Sequence, residues 1–248
     1  MNNNLKSILI IGESCLDRWL YVDSNRLAPD LPIPIVTPNH ENENPGMAMN
    51  VKRNIESLGQ KCDIFTNENW HDVTKLRIVH EATNHTFIRI DSNDKVPRNS
   101  MNLEILKDYD LVIISDYNKG FLTEFDIQSI ARNHDNVFLD TKKILGPWAK
   151  EVKFIKINNH EYQNSLSFLT PELNSKIIHT DGANGANYQG KNYPTAKVEV
   201  KDGSGAGDSY LSALVVEYLK TKDIDLAIRF ANKCATKTVQ ERGVTTCA

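Results

Sequence analysis

Asp202-Gly203-Ser204-Gly205-Ala206-Gly207-Asp208 is the stretch whose residue types and spacing could do chemistry. Its three glycines let the backbone come close to a ligand with no Cβ in the way. Residues 209–219 are apolar on most faces and predict a buried helix starting near Gly205 or Ala206. The unpaired N–H groups of such a helix start carry partial positive charge and together bind an anion. Asp208 then stands in the first turn, beside that anion. This arrangement suits phosphoryl transfer, with the nest holding the moving group and the carboxylate taking the proton of an attacking hydroxyl. The plain alternative is an acid that only complements the helix dipole, worth a few tenths to about 1 kcal/mol.

The elements around this stretch favour the chemical reading. Strands at 111–115, 137–140, 154–157 and 176–180, with helices at 122–133 and from about Asn159, alternate regularly. Such alternation means a mostly parallel sheet with helices on both faces. An earlier strand at 6–12 has an Ile-Leu-Ile-Ile core suited to burial on both sides. Asp17 follows it, at the edge where open α/β sheets meet ligands, although a turn aspartate is the other reading. Polar residues also gather beyond later strands: Asp116, Asn118 and Lys119; Asp140, Lys142 and Lys143; Asn158 and Glu161. Together they outline a cleft.

Asn158 and Glu161, three apart at a helix start, either hold Mg²⁺ through water or form a capping box, and the spacing alone favours the cap. Residues 180–185 form a Gly-rich turn after a strand, followed by a hairpin over 186–193. Gly185 to Asn192 imitates P-loop spacing, but Asn192 stands where Ser or Thr is required and no helix follows. That reading is rejected. A last helix runs from Asp223 to about Glu241.

Two pairs of extended segments fall outside this rhythm, at 19–22 with 33–37 and at 75–80 with 86–91. Pro29, Pro32, Pro34 and Pro38 confine the first pair to a sheet edge or a separate small sheet. Both pairs read as a small β lid over the main sheet. Between them, a helix over 45–59 puts Gly46 and Asn50 one turn apart, facing a ligand or serving only packing and capping.

At 248 residues, with an ordinary soluble composition of 40% hydrophobic and 25% charged residues, the chain fits one large domain, or one domain plus a small appendage. A net charge of −3 argues against nucleic-acid binding through a basic face. Cys15, Cys62, Cys234 and Cys247 include no CxxC pair, which favours reduced thiols over a disulfide scaffold or zinc site. The N-terminal apolar run is too short for a bilayer and lacks a signal-peptide layout, so a cytoplasmic chain without membrane partners is expected.

Taken in order, the motifs resemble the ribokinase-like (PfkB-type) carbohydrate kinases. Asp202 to Asp208 is similar to that family's Asp-x-x-Gly-Ala-Gly-Asp signature, Asn158 to Glu161 to its Asn-x-x-Glu motif, and Thr180 to Gly185 to its Thr-x-Gly-x-x-Gly turn. The resemblance implies a single kinase domain over 1–248, a three-layer α/β/α sandwich with a β lid at about 18–38 and 75–91. It also implies ATP and Mg²⁺, a sugar or sugar-phosphate substrate, and dimers formed through the lid. Asp208 would be the base, with the amides of Gly205, Ala206 and Gly207 as anion hole. Asn158 and Glu161 would position Mg²⁺ and phosphates, Glu161 through water. Asp17, Gly46 and Asn50 would hold sugar hydroxyls, while Thr180, Gly182, Gly185 and Asn232 would border the nucleotide. Arg89, Lys119 and Lys142 are candidates for a substrate phosphate. Asp208, near a helix start, is expected to stay ionised as a weak base.

Within the family, residues 16–19, 28–36, 75–79, 88–91 and 115–120 resemble kinases that phosphorylate the anomeric hydroxyl of a heptose 7-phosphate. Departures are Gly46-Met47 where the family has Gly-Gly, which crowds or shifts the sugar pocket, and a short segment between Gly59 and Lys75, so part of the sheet edge is expected to be missing. No nucleotidyltransferase domain is expected after Ala248, which leads away from a bifunctional heptose enzyme. The competing expectations are a kinase for another small alcohol, such as a nucleoside, and a non-catalytic sensor on the same fold.

Overall fold

Residues 7–247 are described in the structure, a computed structural model. The first half of the chain forms β1 (Ile8–Gly12), β2 (Ser14–Leu27), β3 (Pro34–Met47), α1 (Ala48–Ser57), β4 (Cys62–Phe65), β5 (Thr74–His80) and β6 (His85–Ser92). Then come β7 (Leu111–Asp116), α2 (Glu124–Arg132), β8 (Val137–Thr141), β9 (Phe154–Asn158), α3 (Asn159–Ser165) and α4 (Pro171–Asn174). The last part is β10 (Ile177–Thr180), β11 (Ala186–Tyr188), β12 (Lys191–Tyr193), α5 (Ala206–Thr221) and α6 (Ile224–Thr238).

The main sheet has eight strands in the order β12-β11-β10-β9-β8-β7-β1-β4. It is parallel from β10 to β4 and closes with the antiparallel hairpin β11–β12. Alternation along β1 divides the core. Ile8 and Ile10 pack with Val51 of α1, Leu214 of α5 and Ile228 of α6, while Leu9 and Ile11 pack on the other face with Ile127 of α2 and with Phe121, which precedes that helix. The ribokinase-like sandwich is therefore present as expected. Its edge is short: after β4 the chain passes directly to β5, tied back by the Asn67 Oδ1 that accepts from the Ser14 amide at 2.8 Å.

The second sheet has four strands in the order β3-β2-β5-β6. Here β2 and β3 run 14 residues each, well beyond the short segments expected. The prolines are accommodated because β3 is an edge strand. Asp17 consequently lies inside β2, opposite Asn44 and Lys75, not in a loop after β1. The same pairing delays the helix: Pro45, Gly46 and Met47 stay paired with Leu16, Cys15 and Ser14, so α1 begins at Ala48. Gly46 is thus a strand residue and only Asn50 is helical. Met47 takes φ 59°, a conformation that glycine adopts freely and other residues rarely do, and its side chain is buried in the core.

Cys234 and Cys247 form a disulfide, which corrects the expectation of four reduced thiols. The chain turns back after α6 and brings the two Cα atoms to 5.1 Å, a proximity invisible in residues 13 apart. Cys15 and Cys62 are free, and burial pushes both thiols up to about 12. Among the described residues no helix is long and apolar enough to cross a membrane.

Candidate active site

Helix α5 begins where the glycine stretch predicts. Gly205 is its N-cap at φ 77°, a left-handed conformation suited to glycine. A Cβ there would meet Asn50 Nδ2 and Val244 Cγ1 at 3.0 Å each. Asp202 braces the turn, accepting from the Ser204 amide at 2.8 Å and from the Gly243 amide at 3.1 Å. The Ala206 amide donates to Gly203 O at 3.3 Å, so one of the three amides expected in the anion hole is already engaged.

Asp208 projects from the first turn and is 7% exposed. Its Oδ2 accepts from Asn50 Nδ2 at 2.8 Å and its Oδ1 from the Tyr117 hydroxyl at 2.7 Å. Asn50 is set in turn by a buried polar seam between α1 and α5. There Asn54 Nδ2 donates to Asn50 O at 2.9 Å and Ser209 Oγ to Asn54 Oδ1 at 2.9 Å. Tyr117 is placed from below by Glu13, whose buried carboxylate accepts from the amides of Tyr117 at 2.8 Å and Lys119 at 2.9 Å. Burial, with Asp116 nearby, raises the Glu13 carboxyl.

Burial also raises the Asp208 carboxyl, and the Asp140 charge adds to the rise. The hydrogen bonds from Asn50 and Tyr117 and the Lys156 charge hold it back. The ionised, weak base expected from the helix start is therefore a stronger base than the helix start alone would make it. Burial and the Asp208 charge raise the Tyr117 hydroxyl well above its usual value, which keeps it a donor.

Asp208, Gly205, Gly207, Lys142, Asn158, Thr180 and Gly182 line one cavity of about 460 Å³, with Tyr117, Asp140 and Lys156. A second cavity of about 330 Å³ shares Thr180, Gly182 and Gly207 and is walled by Val198, Val200, Tyr210, Ala235 and Val239. Gly185 and Asn232 border this apolar cavity, and Asn232 Nδ2 donates to Tyr193 O at 2.8 Å. A chamber lined largely by polar residues thus adjoins a largely apolar one.

Asn158 and Glu161 form the capping box of α3: Asn158 Oδ1 accepts from the Glu161 amide at 2.9 Å and Glu161 Oε2 from the Asn158 amide at 2.8 Å. Glu161 Oε1 is taken by Lys142 as well. Burial would lower the Lys142 ammonium, but Asp140 and Glu161 outweigh it and raise it. Among the described residues no cluster of three or more His, Cys, Asp or Glu is set to hold a metal. Asp140 Oδ1 is buried without a partner beside the polar cavity. This donor set fits Mg²⁺ held mainly by phosphate and water, with Asp140 and Glu161 outside its direct shell.

Asp17 and Gly46 lie together: a Cβ on Gly46 would stand 2.3 Å from Asp17 Oδ2. Arg77 holds the Asp17 carboxylate at 3.0 Å and stacks on Trp19 at 5.0 Å. Two expected residues fall elsewhere. Arg89 sits on the exposed strand β6 and pairs with Asp91 at 2.8 Å, and Lys119 pairs with Asp94. Each has an acidic neighbour that the linear pattern did not single out.

Tyr117 and Lys156 are side chains of this cavity that sequence reasoning passed over. Lys156 is 4% exposed and donates to Asp140 at 2.7 Å. A Cβ on Gly207 would meet its Nζ at 3.1 Å, so glycine there leaves room for a cation beside the α5 start. One signal was available: a lysine between buried Ile155 and Ile157 in a strand covered on both faces is out of pattern.

The chain is 27% identical, over a 292-position alignment, to the bifunctional protein HldE of Vibrio atlanticus, covering 96% of this chain and 61% of that one. It spans about three-fifths of the length of that relative. Its fold matches ribokinase from Thermotoga maritima with a TM-score of 0.73 at 18% identity, over 96% of this chain and 94% of the other. It also matches Arabidopsis thaliana ribokinase complexed with ribose and ATP, with a TM-score of 0.69 at 14% identity over 96% and 94%. The sequence pattern of the pfkB family carbohydrate kinases matches residues 68–248, and with the glycine turn, the clamped carboxylate and the paired cavities in place, the chain belongs to that family of sugar-phosphorylating enzymes.

Proposed function

We propose that this sugar kinase moves the γ-phosphoryl group of ATP to the anomeric hydroxyl of a heptose 7-phosphate, with Asp208 as base. The observation that carries the reading is the double clamp on Asp208, from Asn50 and Tyr117, at the mouth of a polar cavity beside the α5 start. An acceptor hydroxyl bonded to Asp208 gives up its proton as its oxygen bonds to phosphorus, and the bond to the leaving ADP oxygen breaks. The raised carboxyl takes that proton more readily than an ordinary aspartate. Lys156, Lys142 and the α5 N-terminus neutralise charge on the phosphates, the larger part of the work in a loose transition state. Mg²⁺, held by Glu161 and Asp140 through water, would add further neutralisation of phosphate charge. The apolar cavity suits the adenine base.

Asp17 and Asn50 would hold sugar hydroxyls, and the four-stranded sheet would serve as the lid over them. The heptose assignment is supported by the motif stretches along the lid and by the likeness to HldE. A homodimer through the lid is supported by Leu27, Ile33, Ile88 and Ile90, apolar side chains exposed on it.

The test is ADP release with Mg²⁺-ATP across heptose and hexose phosphates, the free sugars and nucleosides, with Asp208→Asn alongside. Turnover on heptose 7-phosphate, lost by ~10³-fold or more in the variant, supports the reading. Turnover confined to nucleosides or neutral sugars overturns the substrate. Nucleotide binding with no turnover on any acceptor favours a sensor.

A further inference from the structure

Four cations around the cleft are each matched by a carboxylate: Arg77 by Asp17, Lys142 by Glu161, Lys143 by Asp116 and Lys156 by Asp140. Lys75 is not. It stands on β5 opposite Asp17 and is 9% exposed, yet its ammonium makes no hydrogen bond or ion pair among the described residues. It sits over the ring of Tyr117, 5.2 Å from the centroid. A ring face offsets only part of what a cation loses on leaving water, so a buried ammonium so placed has an unmet need for an anion.

The position says which anion. The Tyr117 hydroxyl holds Asp208, and the same ring carries Lys142 at 5.6 Å, a residue of the polar cavity with Asn158, Gly182 and Gly205. One tyrosine therefore joins the base, a cation of the phosphate cavity and a cation of the second sheet. The nucleotide phosphates already have Lys142, Lys156 and the start of α5. Lys75 belongs to the other sheet, opposite Asp17 and separated from the base by the side chain of Tyr117.

We propose that Lys75 is a specificity-determining ligand for a phosphomonoester on the acceptor sugar, so that the enzyme selects phosphorylated sugars over their neutral counterparts. This rests on the kinase reading above. A neutral sugar leaves the buried ammonium unpaired, which discriminates against it, while a phosphomonoester supplies the missing acceptor oxygens.

The experiment compares wild type, Lys75→Met and Lys75→Arg on matched acceptors: heptose 7-phosphate and heptose, mannose 6-phosphate and mannose, fructose 6-phosphate and fructose. Both turnover and calorimetric binding of each acceptor are measured. In Lys75→Met, KM and Kd for the phosphorylated acceptor rise by roughly 10- to 100-fold, the range of a hydrogen bond to a charged group. The matched neutral sugar, kcat and the KM for ATP change little. Lys75→Arg keeps part of the preference. Loss of a buried unpaired charge leaves Lys75→Met at least as resistant to heat as wild type, so weakened binding is not unfolding. An unchanged preference in Lys75→Met overturns the assignment, as does a wild type that prefers neutral sugars, which leaves the kinase reading intact. Absence of turnover on every acceptor overturns the kinase reading, and calorimetry then decides Lys75. Weaker sugar-phosphate binding in Lys75→Met supports it, while equal binding, or none in wild type, overturns it.

Discussion

The Tyr117 hydroxyl donates to Asp208 Oδ1 at 2.7 Å, from a loop that the buried carboxylate of Glu13 holds by its backbone amides. This bond stabilises the charged carboxylate and so keeps the Asp208 carboxyl lower than burial alone would set it. In Tyr117→Phe the carboxyl rises further, so the acid limb of the kcat/KM profile moves to higher pH and turnover at acid pH falls. A pH–rate profile of both proteins checks this. A limb that stays in place means that Tyr117 does not act on the base.

Gly46→Ala tests the sugar side. Its Cβ would fall 2.3 Å from Asp17 Oδ2 and 2.9 Å from Cys15 Sγ. The Asp17 carboxylate, held by Arg77, must swing away, so the acceptor KM rises roughly 10-fold or more while the ATP KM holds, on the scale of losing a charged hydrogen bond. Steady-state kinetics with each substrate varied separates the two.

The disulfide closes a loop with a sequence separation of 13. In the chain-entropy account a loop of this size contributes about 3 kcal/mol. Incubation with dithiothreitol, or replacing both Cys234 and Cys247 by Ser, lowers the melting temperature. Scanning calorimetry with and without reductant measures the loss, and the double variant should be indifferent to reductant.

Helix α2 provides a pH-dependent test of stability away from the site. Asp126 bonds Arg98 and closes a capping box with Thr123, and these hydrogen bonds lower its carboxyl from 3.8 to about 2. A carboxyl lower in the folded than in the unfolded chain adds stability that is present above 3.8 and lost as pH falls toward about 2. The gap between wild type and Asp126→Asn in urea denaturation should therefore shrink from pH 5.5 to pH 2.5. Thr123→Ala, which removes the cap oxygen, should cost about 1 kcal/mol at neutral pH.

Much of this was legible in the residue order, because local rules govern it. The burial of β1, the parallel rhythm, the α5 start at the glycine turn and the capping box of α3 follow from periodicity and spacing over a few residues. So did the presence of Asp208 in the first turn of that helix. What is not local stayed hidden. The length of β2 and β3 depends on pairing with each other and with β5, and that pairing moved Asp17 into a strand and delayed α1. Lys119 stood as a candidate for a substrate phosphate until the fold set Asp94, 25 residues away, beside it. The Cys234–Cys247 bond needed a chain reversal that no cysteine spacing announces.

The sequence by itself determined the parallel rhythm of the main sheet and which residue types stand at the α5 start. Only the tertiary structure decided which cations are already neutralised, which one is not, and how basic Asp208 is. Charge pairing and desolvation depend on neighbours brought from distant parts of the chain, as Tyr117 and Asn50 are brought to Asp208.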